Sequence, residues 1–318
     1  MVGKMVDSRA LRSDILLFIT ALIWGFAFVA QRVGMEDVGP FTFNGIRFAL
    51  GAFVLAPFVL FGADRRTCLT RPAGTGTSGG ILKAGLTAGL VLFAGASLQQ
   101  TGMVYTTAGN AGFITGLYVV IVPILGLFLS QRASAGAWVG AAFAAAGLYL
   151  LSITKDLTMC FGDILVFAGA FFWAAHVLII GRFSPRMDSF KLALVQYAVC
   201  SVLSLAVAGA RESITFVSLE NAAWPILYGG VVSVGIAYTL QIIGQREAPS
   251  THAAILMSLE SVFAAVGGGI ILHEHLSSRQ LAGCSLMLFG MLVSQLWRAR
   301  LAVEGGDEAD QEPLEKTG

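Results

Sequence analysis

The sequence places a few ionisable and amide side chains inside long apolar runs. Such groups are costly there, so each is a functional candidate by default. Glu260 is the sharpest, lying ten residues into the run 250–271 and near its centre. A carboxylate shielded from water could exchange a proton or pair with a cationic solute. It could equally be a structural acid that pins two helices through a serine or a backbone group. Arg47 lies seven residues into the run 40–62, roughly 10 Å deep at about 1.5 Å per helical residue. It could bind a solute carboxylate, or snorkel outward to the interface. His176 follows Trp173 by three residues, which puts both on one helical face. It could relay protons, or simply be hydrogen-bonded to a neighbour.

The elements that must hold these groups follow from composition. The chain has 318 residues, 56% hydrophobic and 12% charged, where a soluble domain carries about a quarter charged. Runs of about 20 apolar residues are long enough to cross a bilayer as helices. Because the runs are continuous rather than alternating, a membrane barrel is excluded. The expected class is therefore an all-α polytopic membrane protein. Ten spans are predicted, near 13–33, 40–62, 81–104, 107–129, 136–153, 161–182, 189–209, 224–245, 250–271 and 279–298. Lys4, Arg9 and Arg12 before the first run mimic a signal peptide, but that run is long and has no A-x-A site, so it reads as an uncleaved first helix. Residues 65–80 read as a flexible loop, and the acidic tail 303–318 as disordered. Of the 20 basic residues, 15 fall on segments that share one side with the N-terminus and four on the other. By the positive-inside rule both termini are cytoplasmic, with 1–12 as a cytoplasmic N-terminus.

One apolar phrase occurs twice. DILLFITALIW (14–24) returns as DILVFAGAFFW (163–173), 149 positions later, with six of eleven residues identical. The echo continues through the chain. Arg47 aligns with Gln196. Beyond the 65–80 loop the offset falls to 142, where Gln99 aligns with Gln241, Leu117 with Leu259, and Tyr118 with Glu260. Gly140 and Gly147 align with Gly283 and Gly290. Two repeats result, 13–153 and 161–298. Five spans each is an odd number, so the repeats should cross the membrane in opposite senses. That is the inverted-repeat plan of secondary transporters, whose site lies near the midplane between the halves. Gln99 and Gln241 should then face a central cavity from opposite sides, or else serve as interhelical hydrogen bonds. Trp24 and Trp173, also mates, could form an apolar or cation-binding wall or pack in the core. Asn110 and His252 read as helix caps.

These repeats resemble the drug/metabolite transporter superfamily, specifically its EamA-type members. The strings that carry the likeness are ALIWGFAFVAQR, FNGIRFALGA and NAGFITGLYVVIVPILGLFLSQR in the first half. In the second they are GDILVFAGAFFWAAH and SLESVFAAVGGGIILHEHLS, and the match covers about residues 12–300. Ser261 stands where the family often has proline, which leaves a ninth-helix kink open. Arg132 stands where the second repeat has Glu274. The resemblance implies movement of a small solute such as an amino acid, purine, sugar, quaternary amine or drug.

The expectation is a cell-membrane secondary carrier working by alternating access on a small-molecule substrate, an exporter or exchanger. Coupling to a proton or an ion, and a homodimer, are both left open. The net charge of +1 carries no nucleic-acid signature. No P-loop motif occurs. No nucleophile–base set at depth suggests an enzyme. Four scattered cysteines and HEH (273–275), whose histidines point apart, give no metal site or cofactor. A channel or a structural membrane protein is the alternative.

Overall fold

The computed structural model describes residues 8–60, 78–130, 133–152, 160–271 and 277–309. The 65–80 loop, Arg132 and HEH lie mostly or wholly outside them. In the first half the helices are α1 (Ser8–Gly34), α2 (Pro40–Leu60), α3 (Ser78–Gly102), α4 (Ala108–Gly116), α5 (Tyr118–Phe128) and α6 (Ala135–Ser152). In the second they are α7 (Phe161–Phe183), α8 (Ser189–Arg211), and the short α9 (Phe216–Asn221) and α10 (Ala223–Leu227). A π-helical stretch, Tyr228–Tyr238, then leads into α11 (Thr239–Gly244). After it come α12 (Ser250–Met257), α13 (Glu260–Ile271) and α14 (Ser278–Ala309). Among the described residues, eight helical stretches are long and apolar enough to cross a membrane, and two shorter apolar helices, Ala135–Leu150 and Leu281–Ser294, stand where the fifth and tenth spans were expected.

Each sequence mate packs as its partner does. α1 packs on α13, and α7 on α5. α3 packs on α7, and α1 on the π stretch and α11. α2 packs on α8, and α6 on α14. The closest approach shows the exchange atom by atom. A Cβ on Gly290 would fall 2.7 Å from the Gly140 carbonyl oxygen, and one on Gly147 would fall 2.6 Å from that of Gly283. Swapping the halves turns the first contact into the second. Larger side chains would force α6 and α14 apart.

The repeated aspartates stitch the halves together. Asp163 accepts from Thr106 Oγ1 at 2.5 Å and from its own N-terminal Cys160 N–H at 3.0 Å. Its mate Asp14 lies 2.9 Å from His252 Nε2, whose Nδ1 lies 3.1 Å from Ser294 Oγ. His252 is therefore not the helix cap expected: it is the third residue of α12 and ties α1 to α12 and α14. Asn110 is the third residue of α4, so it too lies past the cap position.

Three expectations of continuous structure are corrected. The runs 107–129 and 250–271 each divide, at Leu117 and at Ser258–Leu259. Both breaks use tight three-residue turns, Leu117 N–H to Ile114 O (3.2 Å) and Leu259 N–H to Leu256 O (3.3 Å). Ser258 Oγ donates to Ile255 O at 2.8 Å and competes with the helix ladder, so the ninth helix breaks without a proline. The eighth run is partly π-helical, whereas its first-half equivalent in α3 is α-helical. Of the acidic tail 303–318, residues up to Ala309 belong to α14, and 310–318 lie outside the described residues.

Candidate functional site

The two helix breaks position the centre of the molecule. Tyr118 opens α5 and Glu260 opens α13, and both line a cavity between the halves. Trp24, Arg47, Gln99, Trp173, His176 and Gln241 line the same cavity. The structure thus brings together all eight residues singled out in the sequence.

Arg47 does not snorkel. It is 2% exposed, with its guanidinium carbon 5.4 Å from the Phe43 ring centre and 5.1 Å from that of Phe48. Its Nε has no hydrogen-bond partner. Among the described residues it forms no ion pair, Asp14–His252 being the salt bridge present. Cation–π contacts of this kind are worth only about 1–2 kcal/mol, well short of the cost of burying a charge.

Glu260 is 3% exposed and its Oε1 lacks a hydrogen-bond partner. The Tyr118 hydroxyl is close enough to interact with that carboxylate, yet it completes no hydrogen bond of good geometry. Glu260 does not pair with Arg47, so the cavity wall holds a cation and an acid apart from each other.

The amide mates are held differently. Gln99 Oε1 accepts from Trp173 Nε1 (2.7 Å) and Thr115 Oγ1 (3.4 Å), and its Nε2 donates to Gln31 Oε1 (3.4 Å). Gln241 donates from Nε2 to Gln245 Oε1 (3.0 Å), and its own Oε1 has no partner. Gln99 is thereby locked, while Gln241 presents a bare acceptor. His176 Nε2 lies 2.9 Å from Gln196 Oε1. If the carbonyl oxygen accepts there, Nδ1, which has no partner, is an unprotonated acceptor.

Trp24 and Trp173 each bond across to the other half, Trp24 Nε1 to Ser233 O (3.4 Å) and Trp173 to Gln99. Between them stands Tyr238, with ring centres 4.5 Å from Trp24 and 6.2 Å from Trp173, His176 and Tyr197. Tyr238 was not singled out in the sequence, nor were Gln31, Phe28, Thr115 or Met257, which also line the cavity. Helical spacing would have found them. Thr115 and Met257 each precede Tyr118 and Glu260 by three residues, Phe28 and Gln31 follow Trp24 by four and seven, and Tyr238 precedes Gln241 by three.

The model of the EamA-like transporter family matches this chain twice, over residues 11–153 and 160–295. The chain belongs to the EamA-like transporter family. The two matches coincide with the two halves that pack as mates. Among curated relatives of this EamA-like chain is an uncharacterised transporter of Archaeoglobus fulgidus, 29% identical over 92% of this chain and 89% of its own length. A probable amino-acid metabolite efflux pump of Salmonella typhimurium is 26% identical, over 89% of this chain and 94% of its own. The inner membrane transporter YedA of Escherichia coli K12, itself uncharacterised, is 26% identical over 88% and 89%. A solved crystal structure superposes with a TM-score of 0.73 at 18% identity, covering 91% of this chain and 98% of that one, which establishes a shared fold. The protein is a multi-pass transporter of the cell membrane. Among the described residues no group of three His, Cys, Asp or Glu could hold a metal ion.

Proposed function

We propose that this EamA-like transporter is a secondary carrier that exports or exchanges a small zwitterionic solute of the amino-acid type. The observation that carries the reading is that Arg47 and Glu260 line one buried cavity without pairing with each other. A solute carboxylate would pair with Arg47 and leave the cation no longer isolated. Its ammonium would meet Glu260, the Gln241 Oε1 acceptor and the Tyr118 hydroxyl. Trp24, Trp173 and Tyr238 would wall the apolar part, and ring faces suit a cation as well. The efflux-pump relative supports the amino-acid class.

Alternating access follows from the duplication. Ten spans in two five-helix halves, running in opposite senses with both termini cytoplasmic, can adopt two inequivalent conformations. Exchanging the conformations of the halves moves the opening of the cavity from one side to the other. Glu260, shared between a proton and the solute ammonium, would couple the two. The test is counterflow in proteoliposomes preloaded with an amino-acid mixture. Uptake of labelled amino acid against its gradient, driven by unlabelled solute inside, supports a carrier. Leak in both directions without counterflow assigns a channel.

A further inference from the structure

A second polar cluster lies behind the cavity wall, where α1, α2 and α3 meet. Asn44 Nδ2 donates to Ala96 O at 3.0 Å, and Gln100 Nε2 donates to Gln31 O at 3.4 Å. Both amide nitrogens are thereby engaged, which fixes the two side-chain oxygens on the opposite side of each amide. Neither Asn44 Oδ1 nor Gln100 Oε1 has a partner, although both residues are 0% exposed. Ser97 Oγ is buried without a partner as well. Ala96, Ser97 and Gln100 fall within one turn of α3, and Asn44 is anchored on the first of them.

We propose that Asn44, Ser97 and Gln100 form a binding site for a sodium-sized monovalent cation. Two buried amide oxygens and a hydroxyl, which can accept as well as donate, offer electron pairs, and neutral oxygens suit a hard cation. With no formal negative charge in the set, one positive charge is matched better than two. Arg47, a turn beyond Asn44 on α2, holds its guanidinium over the Phe43 and Phe48 rings, and the nearby helix ends supply the opposite sign. Gln31 and Gln100 lie in the last turns of α1 and α3, so two helix C-termini direct their carbonyls and negative dipole ends here.

The other half shows that the fold does not need these groups. The mates of Gln31, Asn44 and Gln100 are Ile180, Ala193 and Ile242, all buried in the apolar core. The mate of Ser97 is Thr239, whose hydroxyl donates to Gly235 O at 2.7 Å and so is satisfied. A polar cluster kept in one half, where apolar residues serve in the other, points to a ligand rather than to packing. The site also touches the cavity: Gln31, whose backbone oxygen holds Gln100, lines it and accepts from Gln99 through its side chain. Ion occupancy would stiffen the outer end of that wall.

Binding does not depend on the transport reading, so the two fail separately. Melting of the full-length protein in detergent is followed while NaCl replaces choline chloride at constant ionic strength. The expected result is a saturable, sodium-specific rise in Tm. Asn44→Ala and Gln100→Ile, the latter copying the other half, should each weaken apparent sodium affinity about tenfold or more. Because either variant could fail to fold, binding of radioactive sodium to the unaltered protein is measured too, and saturable binding is expected. No difference between sodium and choline, or a rise retained in both variants, assigns the cluster to water and overturns the proposal.

Discussion

Tyr118 and Glu260 occupy equivalent positions in the two halves, each opening a helix that restarts after a break, and they meet at the central cavity. Both side chains therefore sit at helix N-termini, where the dipole favours negative charge. The carboxylate is nevertheless left without a completed hydrogen bond at Oε1. A group held ready in this way can be titrated or can bind a cation.

Glu260→Gln removes that titratable group while keeping its shape. Transport driven by a pH gradient should be lost, whereas solute exchange at equal pH on both sides should persist. Measuring both modes in the same vesicles separates the roles, since equal loss of the two would make the carboxylate structural or purely substrate-binding.

Arg47→Met tests the buried cation in the opposite way. Removing a charge that has no acidic partner should leave Tm unchanged or raised. Affinity for a carboxylate-bearing solute should fall by about 2 kcal/mol or more. A large drop in Tm would show that the guanidinium is a structural element.

His252→Ala cuts the link between Asp14 and Ser294. The two hydrogen bonds join α1, α12 and α14, and the remaining partners stay buried. A stability loss of about 1–3 kcal/mol is expected, read as earlier melting, and an unchanged Tm would show that the three helices hold together without it.

Sequence logic reached the cavity because duplication marks what must stay matched. Trp24 and Trp173 were visible as an echo, and each bonds to the opposite half. The breaks at Leu117 and Leu259 were not visible, because neither has a proline to announce it. They depend on three-residue turns and, at Ser258, on a hydroxyl whose choice between solvent, neighbour and ladder is made by packing. His252 was misread for a related reason. Its position near a run's start fits a cap, but its partners lie 238 and 42 residues away, and nothing local encodes such distances. Tyr238 belongs to a π-helical stretch that its mate in α3 lacks, so repeat comparison could not point to it.

Orientation is open to a simple check. Tags placed at the two chain ends should both be reached only from the cytoplasmic side, as an even number of spans requires. Ends on opposite faces would remove the inverted arrangement.

The most direct test of alternating access is two-sided labelling at the amide mates. In a protein freed of its own cysteines, Gln99→Cys and Gln241→Cys are treated with a membrane-impermeant thiol reagent, once in intact cells and once in inside-out vesicles. The carrier account predicts that each site reacts from both sides, and that amino-acid solute slows the reaction. Reaction of both sites from one side alone, however long the exposure, would contradict it.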